Sequence, residues 1–324
     1  MFDLLLSADM MLEDPDGMAD LLHTKLGVHT HPNWRQAFDN HPYIAHFLRV
    51  HKSLAVATTR LEPQWHLDKP NPGDPMFHDF LESLKDYQGR HRPMTTHAVV
   101  LTLRKPEFSA LIEKLMERKL SFRMAQRTKE MPFDRLWLGT TPENPSYSPE
   151  VDGGLCIEVM GTEPLQMPEE IFADEPAQPR DPQPADMVRI TARGFLVRDL
   201  DSVLNKLSNN LDWEPQSITH IDDESYRRAR MTFAAKNSAC LDLIQASHWD
   251  SEAGHYLNNW GPGLYYIRIA VNNLEAKAED LDQRGVKYTL IENCDAVSGG
   301  SLIKVDPDEL RGQMVEFEEI YRAR

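Results

Sequence analysis

The sequence predicts an α+β protein made of four βαβββ units, each a strand, a helix and three further strands. Three observations favour this fold class. A segment near the start of the second half repeats 74 positions later, the same order of elements occurs more weakly in the first half, and a Pro-rich acidic segment separates the halves. The predicted organisation is a pair of units over 1–165, a linker over 166–186 and a second pair over 187–324.

The repeat is clearest in two gap-free alignments that share one offset. The segment 197–207 aligns with the segment 74 positions later, and the strand-like run 240–243 aligns at the same offset with 314–317. The second alignment places Asp242 on Glu316. Because two separate segments agree on one offset, we expect the two carboxylates at equivalent positions in the last strand of each unit.

Each C-terminal unit begins with a β-rich run, 194–197 in one and 264–271 in the other, and continues with apolar residues at helical spacing. Asp199 and Glu275 lie at the starts of the predicted helices, where negative charge is favoured by the helix dipole.

The first half shows the same order of elements less clearly. The predicted elements are strand 2–10, helix 17–26, strands 43–51 and 54–61, strand 97–103, helix 107–117 and strand 154–159. The last of these strands carries Glu158. Prolines after residue 60, beginning with Pro63, predict a connector there.

Composition restricts the partners. Of 324 residues, 41% are hydrophobic and 27% charged, which is typical of a globular protein with a sizeable core. The formal net charge of −16 opposes binding to a nucleic-acid backbone or an anionic membrane, because both would repel it. Nucleic acids and membranes are therefore not expected partners.

The three cysteines are far apart in the sequence and odd in number, which favours a reducing compartment over a disulfide framework. The apolar run at 1–11 contains Asp3 and Asp9 and follows no basic residue, so it does not resemble a signal peptide or a spanning helix. A cytoplasmic protein is the default expectation.

The run 255–271, the helix after it and the segment 312–317 are similar to the second unit of methylmalonyl-CoA epimerases and glyoxalase-like proteins. Those proteins belong to the vicinal oxygen chelate superfamily, with bleomycin-resistance proteins and extradiol dioxygenases. The resemblance is strongest over 187–320 and weaker over 93–160. It implies that each pair of units forms a cup-shaped sheet whose interior receives the substrate.

In that superfamily a divalent metal is held by side chains on the first and last strands of the units. The first-strand histidine falls here at Ala192 and Tyr266, which are not ordinary ligands, whereas Glu316 and Asp242 supply closing-strand carboxylates. The resemblance implies one divalent ion (Fe, Mn, Zn, Co or Ni) at Glu316 and Asp242. A metal-free cup is the open alternative, because the histidines are missing.

The first half offers a second candidate metal site. His97 and Glu158 fall at approximately the superfamily's ligand positions. A one-residue error in the strand alignment would turn His97 to the other face of its sheet.

The resemblance favours an enzyme that moves a proton next to a carbonyl in a small oxygenated substrate, in a lyase or isomerase step. Glu316 and Asp242 would act as metal ligands or general base, and Tyr266 as acid or oxyanion donor. A carboxylate buried near another is expected to have a raised pKa. Glu316→Gln is then expected to abolish turnover with little change in melting temperature.

Three further residues are candidates for substrate binding. Tyr265 neighbours Tyr266, and on a regular strand only one of the two can face the cup. Tyr226 falls near the position of a catalytic glutamate in epimerase-like relatives. Arg230, one of three clustered arginines, is a candidate anchor for a substrate carboxylate or phosphate, with a solvated strand edge as the alternative.

Two other functions stay open. An extradiol-type dioxygenase would require iron held through His97 and Glu158, and a binding protein of the bleomycin-resistance type would require no chemistry at all. Because four units can complete two cups within one chain, either a monomer or a homodimer is expected.

Overall fold

The computed structural model describes residues 2–6, 8–37, 43–51, 60–67, 71, 73–88, 99–129, 131–165, 169–174, 180–222, 225–297 and 300–320. It confirms the α+β class. No helix within these ranges combines the length and the apolar character that crossing a bilayer requires.

The first half contains two sheets. Its elements are β1 (Leu4–Leu5), β2 (Ala8–Met11), α1 (Pro15–Leu26), β3 (Arg35–Ala37), β4 (Tyr43–His46), β5 (Leu48–Arg49), β6 (Arg60–His66), α2 (Phe77–Gln88), β7 (Val99–Leu103), α3 (Lys105–Glu117), β8 (Phe122–Ala125), β9 (Arg135–Leu138) and β10 (Ile157–Gly161), with 3-10 helices at Pro32–Trp34, Glu163–Leu165 and Glu169–Phe172. One sheet has the order β1-β7-β10-β9-β8, and the other has β2-β6-β4-β3 with β5 on β6. In both, a first strand lies parallel to the last, as β7 does to β10 and β2 to β6.

The second half forms one eight-stranded sheet in the order β12-β13-β14-β11-β15-β18-β17-β16. Its elements are β11 (Met187–Leu196), α4 (Leu200–Leu211), β12 (Ser217–Ile221), β13 (Tyr226–Met231), β14 (Cys240–Ala246), α5 (Glu252–Trp260), β15 (Gly263–Val271), α6 (Leu274–Gln283), β16 (Tyr288–Cys294), β17 (Gly300–Val305), a 3-10 helix at Pro307–Leu310 and β18 (Met314–Glu319). Strands β11 and β14 are parallel, as are β15 and β18, and antiparallel β11 and β15 join the two parts.

The helix starts follow the 74-residue offset. The Asp199 side chain caps α4 by accepting from the Ser202 amide, and Asn273 caps α6 by accepting from Ala276. A side-chain oxygen at the N-cap satisfies an amide that has no partner within the helix. The two helices therefore begin at equivalent places in the repeat.

One strand boundary differs from the prediction. The strand expected at 54–61 is described only from residue 60, and β6 runs on through Pro63, which was predicted to lie in a connector. Along β6, Arg60 and Leu61 pair with β5, and the residues from Gln64 to His66 pair with β4. Pro63 lies in the gap between these pairings, where its missing N–H removes no ladder hydrogen bond on that side.

Two helices were not predicted. The apolar residues of α2 follow helical spacing, and Phe77, Phe80 and Leu84 are buried in a cluster with Trp137 of β9. In the second half, α5 precedes β15 as α2 precedes β7.

The two halves share one hydrophobic core. The buried faces of α1, α3, α4 and α6 all belong to a single cluster that extends from Phe2 to Phe317. A buried ion pair also joins the halves, because Arg193 Nη1 of β11 lies 2.5 Å from Asp9 Oδ1 of β2. Within the predicted linker 166–186, the described residue Ile171 is fully buried in the cluster that contains Phe77 and Phe80 of α2.

Candidate functional site

The structure places Asp242 and Glu316 at equivalent positions of the second-half sheet. Asp242 in β14 lies opposite Gly194 in β11, and Glu316 in β18 lies opposite Arg268 in β15. Their strand neighbours Leu241 and Val315 pack into the core with the helices. Since side chains alternate along a strand, both carboxylates lie on the other face, here called the inner face, and both are buried.

Asp242 is fully hydrogen-bonded to basic and phenolic groups. Arg230 donates Nε–H to Oδ1 and Nη2–H to Oδ2, both at 2.8 Å, and Tyr266 Oη donates to Oδ2 at 2.8 Å. Burial by itself raises the pKa of a carboxyl, but here the hydrogen bonds and charge of Arg230 and the charge of Arg228 outweigh burial. The pKa of Asp242 therefore lies below its ordinary value of 3.8, and the expectation of a raised pKa was wrong for this residue.

Glu316 forms its own buried ion pair. Arg268 donates from Nε at 2.9 Å and from Nη2 at 2.7 Å to Glu316 Oε2, and its Nη1 donates to the Ala296 carbonyl at 3.0 Å. Burial alone would lower the pKa of Arg268, but Tyr266 and Glu316 outweigh it, so this pKa is raised and the guanidinium stays charged.

The two carboxylates are thus accommodated differently. Gly194 of β11 lies 74 residues before Arg268, at the equivalent position of the repeat. A Cβ at this position would lie 2.7 Å from the Tyr266 ring. The glycine leaves room for this ring, and the ring brings its hydroxyl to Asp242. The 74-residue offset predicted that the two carboxylates are equivalent. It did not predict that Asp242 contacts Arg230 and Tyr266 whereas Glu316 contacts Arg268.

This donor set does not fit a divalent metal. Asp242 and Glu316 each already contact a guanidinium, whose positive charge would repel a cation, and Ala192 offers no ligand atom. Within the described ranges no three His, Cys, Asp or Glu side chains are grouped as metal ligands would be. A divalent metal is therefore not expected at Asp242 and Glu316.

Tyr265 and Tyr266 both belong to the inner-face cluster, with ring centroids 5.7 Å apart, so the expectation that one faces away was wrong. A register shift in the pairing of β11 with β15 explains this. Arg193 pairs with Ile267, whereas Phe195 pairs with Leu264, which inserts one extra residue into β15 between them. Tyr265 then packs edge-on against Tyr256 of α5 at 5.1 Å.

The other predicted binding residues are also engaged within the protein. Tyr226 is 2% exposed in the same inner-face cluster, and Arg230 is held by Asp242. Of the other two clustered arginines, Arg227 forms an exposed pair with Asp201, and Arg228 donates to the Ala296 carbonyl. Around Asp242 and Glu316 the inner face of the second half is packed with side chains. A separate cavity of about 420 Å³ lies at β16 and β17, where Lys304 and Met314 are part of its lining, and neither carboxylate lines it.

The first half contains a cavity on the corresponding face of its sheet, and this cavity does reach the predicted carboxylate. A deep part of about 70 Å³ is lined by apolar side chains together with the polar residues Asp9, Tyr43, Glu62, Gln64, His66, Arg135 and Glu158. An outer part of about 400 Å³ adjoins it and shares Tyr43 and Glu62 in its lining. Glu158, predicted from sequence, therefore lines a cavity, whereas His97 lies outside the described residues.

The Tyr43 side chain is close enough to the charged residues of this cavity for their charges to act on its phenol. Burial, and then the negative charge of Glu62, raise the pKa of the Tyr43 phenol, while Arg135 and Arg60 act in the opposite direction. The phenol thus stays protonated at neutral pH and can donate a hydrogen bond. Arg135 Nη1 lies 3.6 Å from Glu158 Oε1, so a carboxylate and a guanidinium are both within the reach of a small ligand.

Tyr43, Glu62 and Arg135 were not predicted from the sequence as site residues. The available signal was the alternation of polar residues at 60, 62, 64 and 66, which places them on one face of a strand. Pro63 obscured this signal, because proline inside a run argues against a strand.

The lowered pKa of Asp242 yields a pH-dependent stability. A carboxyl whose pKa is lower in the folded state stabilises the protein above its unfolded pKa, and this contribution is lost as the pH falls through the folded value. We expect Asp242→Asn to lower the free energy of unfolding by about 2–3 kcal/mol at pH 7. Urea unfolding followed by circular dichroism should show this difference from wild type shrinking below about pH 4.

Asp201→Asn is the matched control, because Asp201 makes an exposed pair with Arg227. A difference between wild type and Asp242→Asn that is unchanged between pH 7 and pH 2 would contradict the lowered pKa.

Comparisons with known proteins find only distant structural similarity. No protein-family model matches the chain, and no curated protein does. Among solved structures, the chain is similar to several proteins at low sequence identity. In particular, methylmalonyl-CoA epimerase from Mycobacterium tuberculosis is 20% identical, with a TM-score of 0.38, over 41% of this chain and 88% of that one.

Two further structures have the same level of similarity. A hypothetical protein from Bacillus halodurans C-125 is 18% identical over 42% of this chain and 96% of its own, with a TM-score of 0.38. Streptomyces coelicolor methylmalonyl-CoA epimerase in complex with 2-nitronate-propionyl-CoA is 20% identical over 42% of this chain and 100% of its own, also at 0.38.

Proposed function

We propose that the chain is an enzyme of the vicinal oxygen chelate type with four βαβββ units in two cups, and that the first-half cavity is its active site. The observation that carries this proposal is which carboxylates line a cavity. Glu158 lines the first-half cavity together with Tyr43 and Arg135, whereas neither Asp242 nor Glu316 lines the second-half cavity of about 420 Å³. The substrate is a small oxygenated compound.

The proposed reaction is proton transfer next to a carbonyl. Glu158 takes the proton from the carbon adjacent to the carbonyl. The electron pair of the broken C–H bond forms a carbon–carbon double bond, and the π pair of the carbonyl moves onto its oxygen. Tyr43, protonated because of its burial, donates a hydrogen bond to this oxygen, and Arg135 supplies positive charge beside it. Return of the proton to the opposite face gives an isomerase, and loss of a neighbouring leaving group gives a lyase.

In this proposal the second-half cup has a structural role. Arg230 and Tyr266 donate to Asp242 there, and Arg268 donates to Glu316, although Asp242, Glu316 and Tyr266 were predicted to be catalytic. Catalysis in the second-half cup remains the alternative location, and the experiment below includes a variant that tests it.

The test is exchange of a carbon-bound proton in D₂O, followed by ¹H NMR, because it detects proton removal without knowledge of the product. A panel of 2-oxo acids, 1,3-dicarbonyl compounds and acyl thioesters is first screened for binding by thermal shift. We expect the wild type to accelerate exchange in a compound that binds, and Glu158→Gln to slow this exchange by about 100-fold or more.

Glu117→Gln, on the exposed end of α3, is the matched control and should exchange at the wild-type rate. Binding without any exchange would contradict the enzyme and favour the small-molecule binding protein. Exchange that survives in Glu158→Gln but is lost in Tyr266→Phe would move the active site to the second half.

A further inference from the structure

Two arginines face each other across the strands at the outer part of the first-half cavity. Arg49 of β5 and Arg60 of β6 are direct partners in the antiparallel pairing, and both line the outer cavity of about 400 Å³. Like charges at directly opposed positions of a sheet repel each other and destabilise the pairing. This arrangement therefore requires compensation from another group.

The described residues do not supply a carboxylate to either arginine. Neither Arg49 nor Arg60 forms an ion pair with a described acidic side chain, including Glu62, which lines the same cavity. The Arg60 Nε is also buried with no hydrogen-bond partner in the described part of the chain. In a chain with a net charge of −16, two directly opposed cations that have no acidic partner among the described residues are unusual.

Each of these guanidiniums lies over an aromatic ring. Arg49 Cζ is 4.8 Å from the centre of the Trp34 ring, and Arg60 Cζ is 5.2 Å from that of Phe47. Stacking holds the plane of a guanidinium while leaving N–H groups at its edge for an acceptor. Trp34 and Phe47 line the outer cavity as well, together with Tyr43 and Phe133.

We propose that Arg49 and Arg60 together bind a doubly charged oxyanion group of the substrate, while the aromatic lining contacts a planar or apolar body attached to it. Two guanidiniums present more donors than a single carboxylate can use, which favours a phosphate ester or a pair of carboxylates. The proposal names the substrate class of the active site proposed above and rests on that function only in placing the substrate in this cavity.

The test measures binding of four defined probes by isothermal titration calorimetry at constant ionic strength. Phenyl phosphate and phthalate represent the two kinds of doubly charged group, benzoate has one charge, and benzamide has none. We expect the wild type to bind phenyl phosphate or phthalate at least about tenfold more tightly than benzoate, with benzamide weakest. The stronger of the two doubly charged probes identifies the kind of oxyanion.

Arg49→Met and Arg60→Met should each weaken binding of the preferred probe by about tenfold or more, because each removes charge-assisted hydrogen bonds. Their unliganded melting temperatures should equal or exceed that of the wild type, since the mutual repulsion is removed. Arg227→Met is the matched control, because Arg227 pairs with Asp201 and does not line the cavity. It should bind the probe as the wild type does.

Failure of this inference is distinguishable from failure of the proposed function. Absence of binding by all four probes, or equal affinity of wild type and both arginine variants, would overturn the oxyanion site. Arginine-dependent binding supports the site even where the wild type exchanges no carbon-bound proton, and in that case only the proposed chemistry fails.

Discussion

Arg268→Met is expected to lower the free energy of unfolding by about 3–5 kcal/mol, because it leaves a carboxylate buried without its counter-ion. Glu316 is 2% exposed, and both hydrogen bonds to its Oε2 come from Arg268. A buried charge that loses its partner retains its desolvation penalty and gains nothing in return. Urea denaturation followed by circular dichroism and by tryptophan fluorescence measures the change.

The double variant Arg268→Met/Glu316→Leu is the decisive comparison. Removing both charges should recover most of the lost stability, since apolar side chains of similar volume can replace a buried pair at little cost. Arg227→Met removes one partner of the exposed ion pair with Asp201 and should change the free energy of unfolding by less than about 1 kcal/mol. A single variant as stable as the wild type would show that this pair contributes no net stability.

The same contacts change the expectation for Glu316→Gln. From the sequence, this substitution was expected to leave the melting temperature nearly unchanged. In the structure Glu316 is the counter-ion of Arg268, whose guanidinium is 1% exposed, so the substitution should lower the melting temperature as well. Loss of activity in this variant would therefore not identify Glu316 as a catalytic residue.

Arg193→Met is expected to lower the free energy of unfolding by a similar amount, about 3–5 kcal/mol, because it breaks the buried pair between the halves. Arg193 donates to Asp9 Oδ1 at 2.5 Å and to the Asp9 carbonyl at 2.9 Å, and both side chains are almost completely buried. Asp9 also lines the deep part of the cavity, so the substitution should weaken ligand binding there.

Arg118→Met is a closely matched control, because it breaks an exposed ion pair that also joins the halves. Arg118 Nη2 lies 2.8 Å from Asp212 Oδ1, with the side chains 34% and 54% exposed. Screening by water limits such a pair to about 1 kcal/mol or less. Equal destabilisation by Arg118→Met and Arg193→Met would contradict the argument from burial.

The fold was largely predictable because repeated topology leaves a periodic record in the chain. Alternation placed Asp242 between core residues, the 74-residue offset matched it to Glu316, and the structure has both at corresponding places in the sheet. The helices α2 and α5 were missed, although Phe77, Phe80 and Leu84 follow helical spacing. Both helices lie outside the segments that the 74-residue offset aligns, so the repeat does not predict them.

The sequence by itself determined which residues alternate toward the inner face of each sheet, because a strand has a period of two regardless of its neighbours. Only the tertiary structure decided what those residues meet there. Arg230 and Arg268 reach the carboxylates from neighbouring strands, whereas Glu158 and Tyr43 line a cavity. The charge state and accessibility of a buried group depend on which distant side chains share its space, and local spacing carries no record of that.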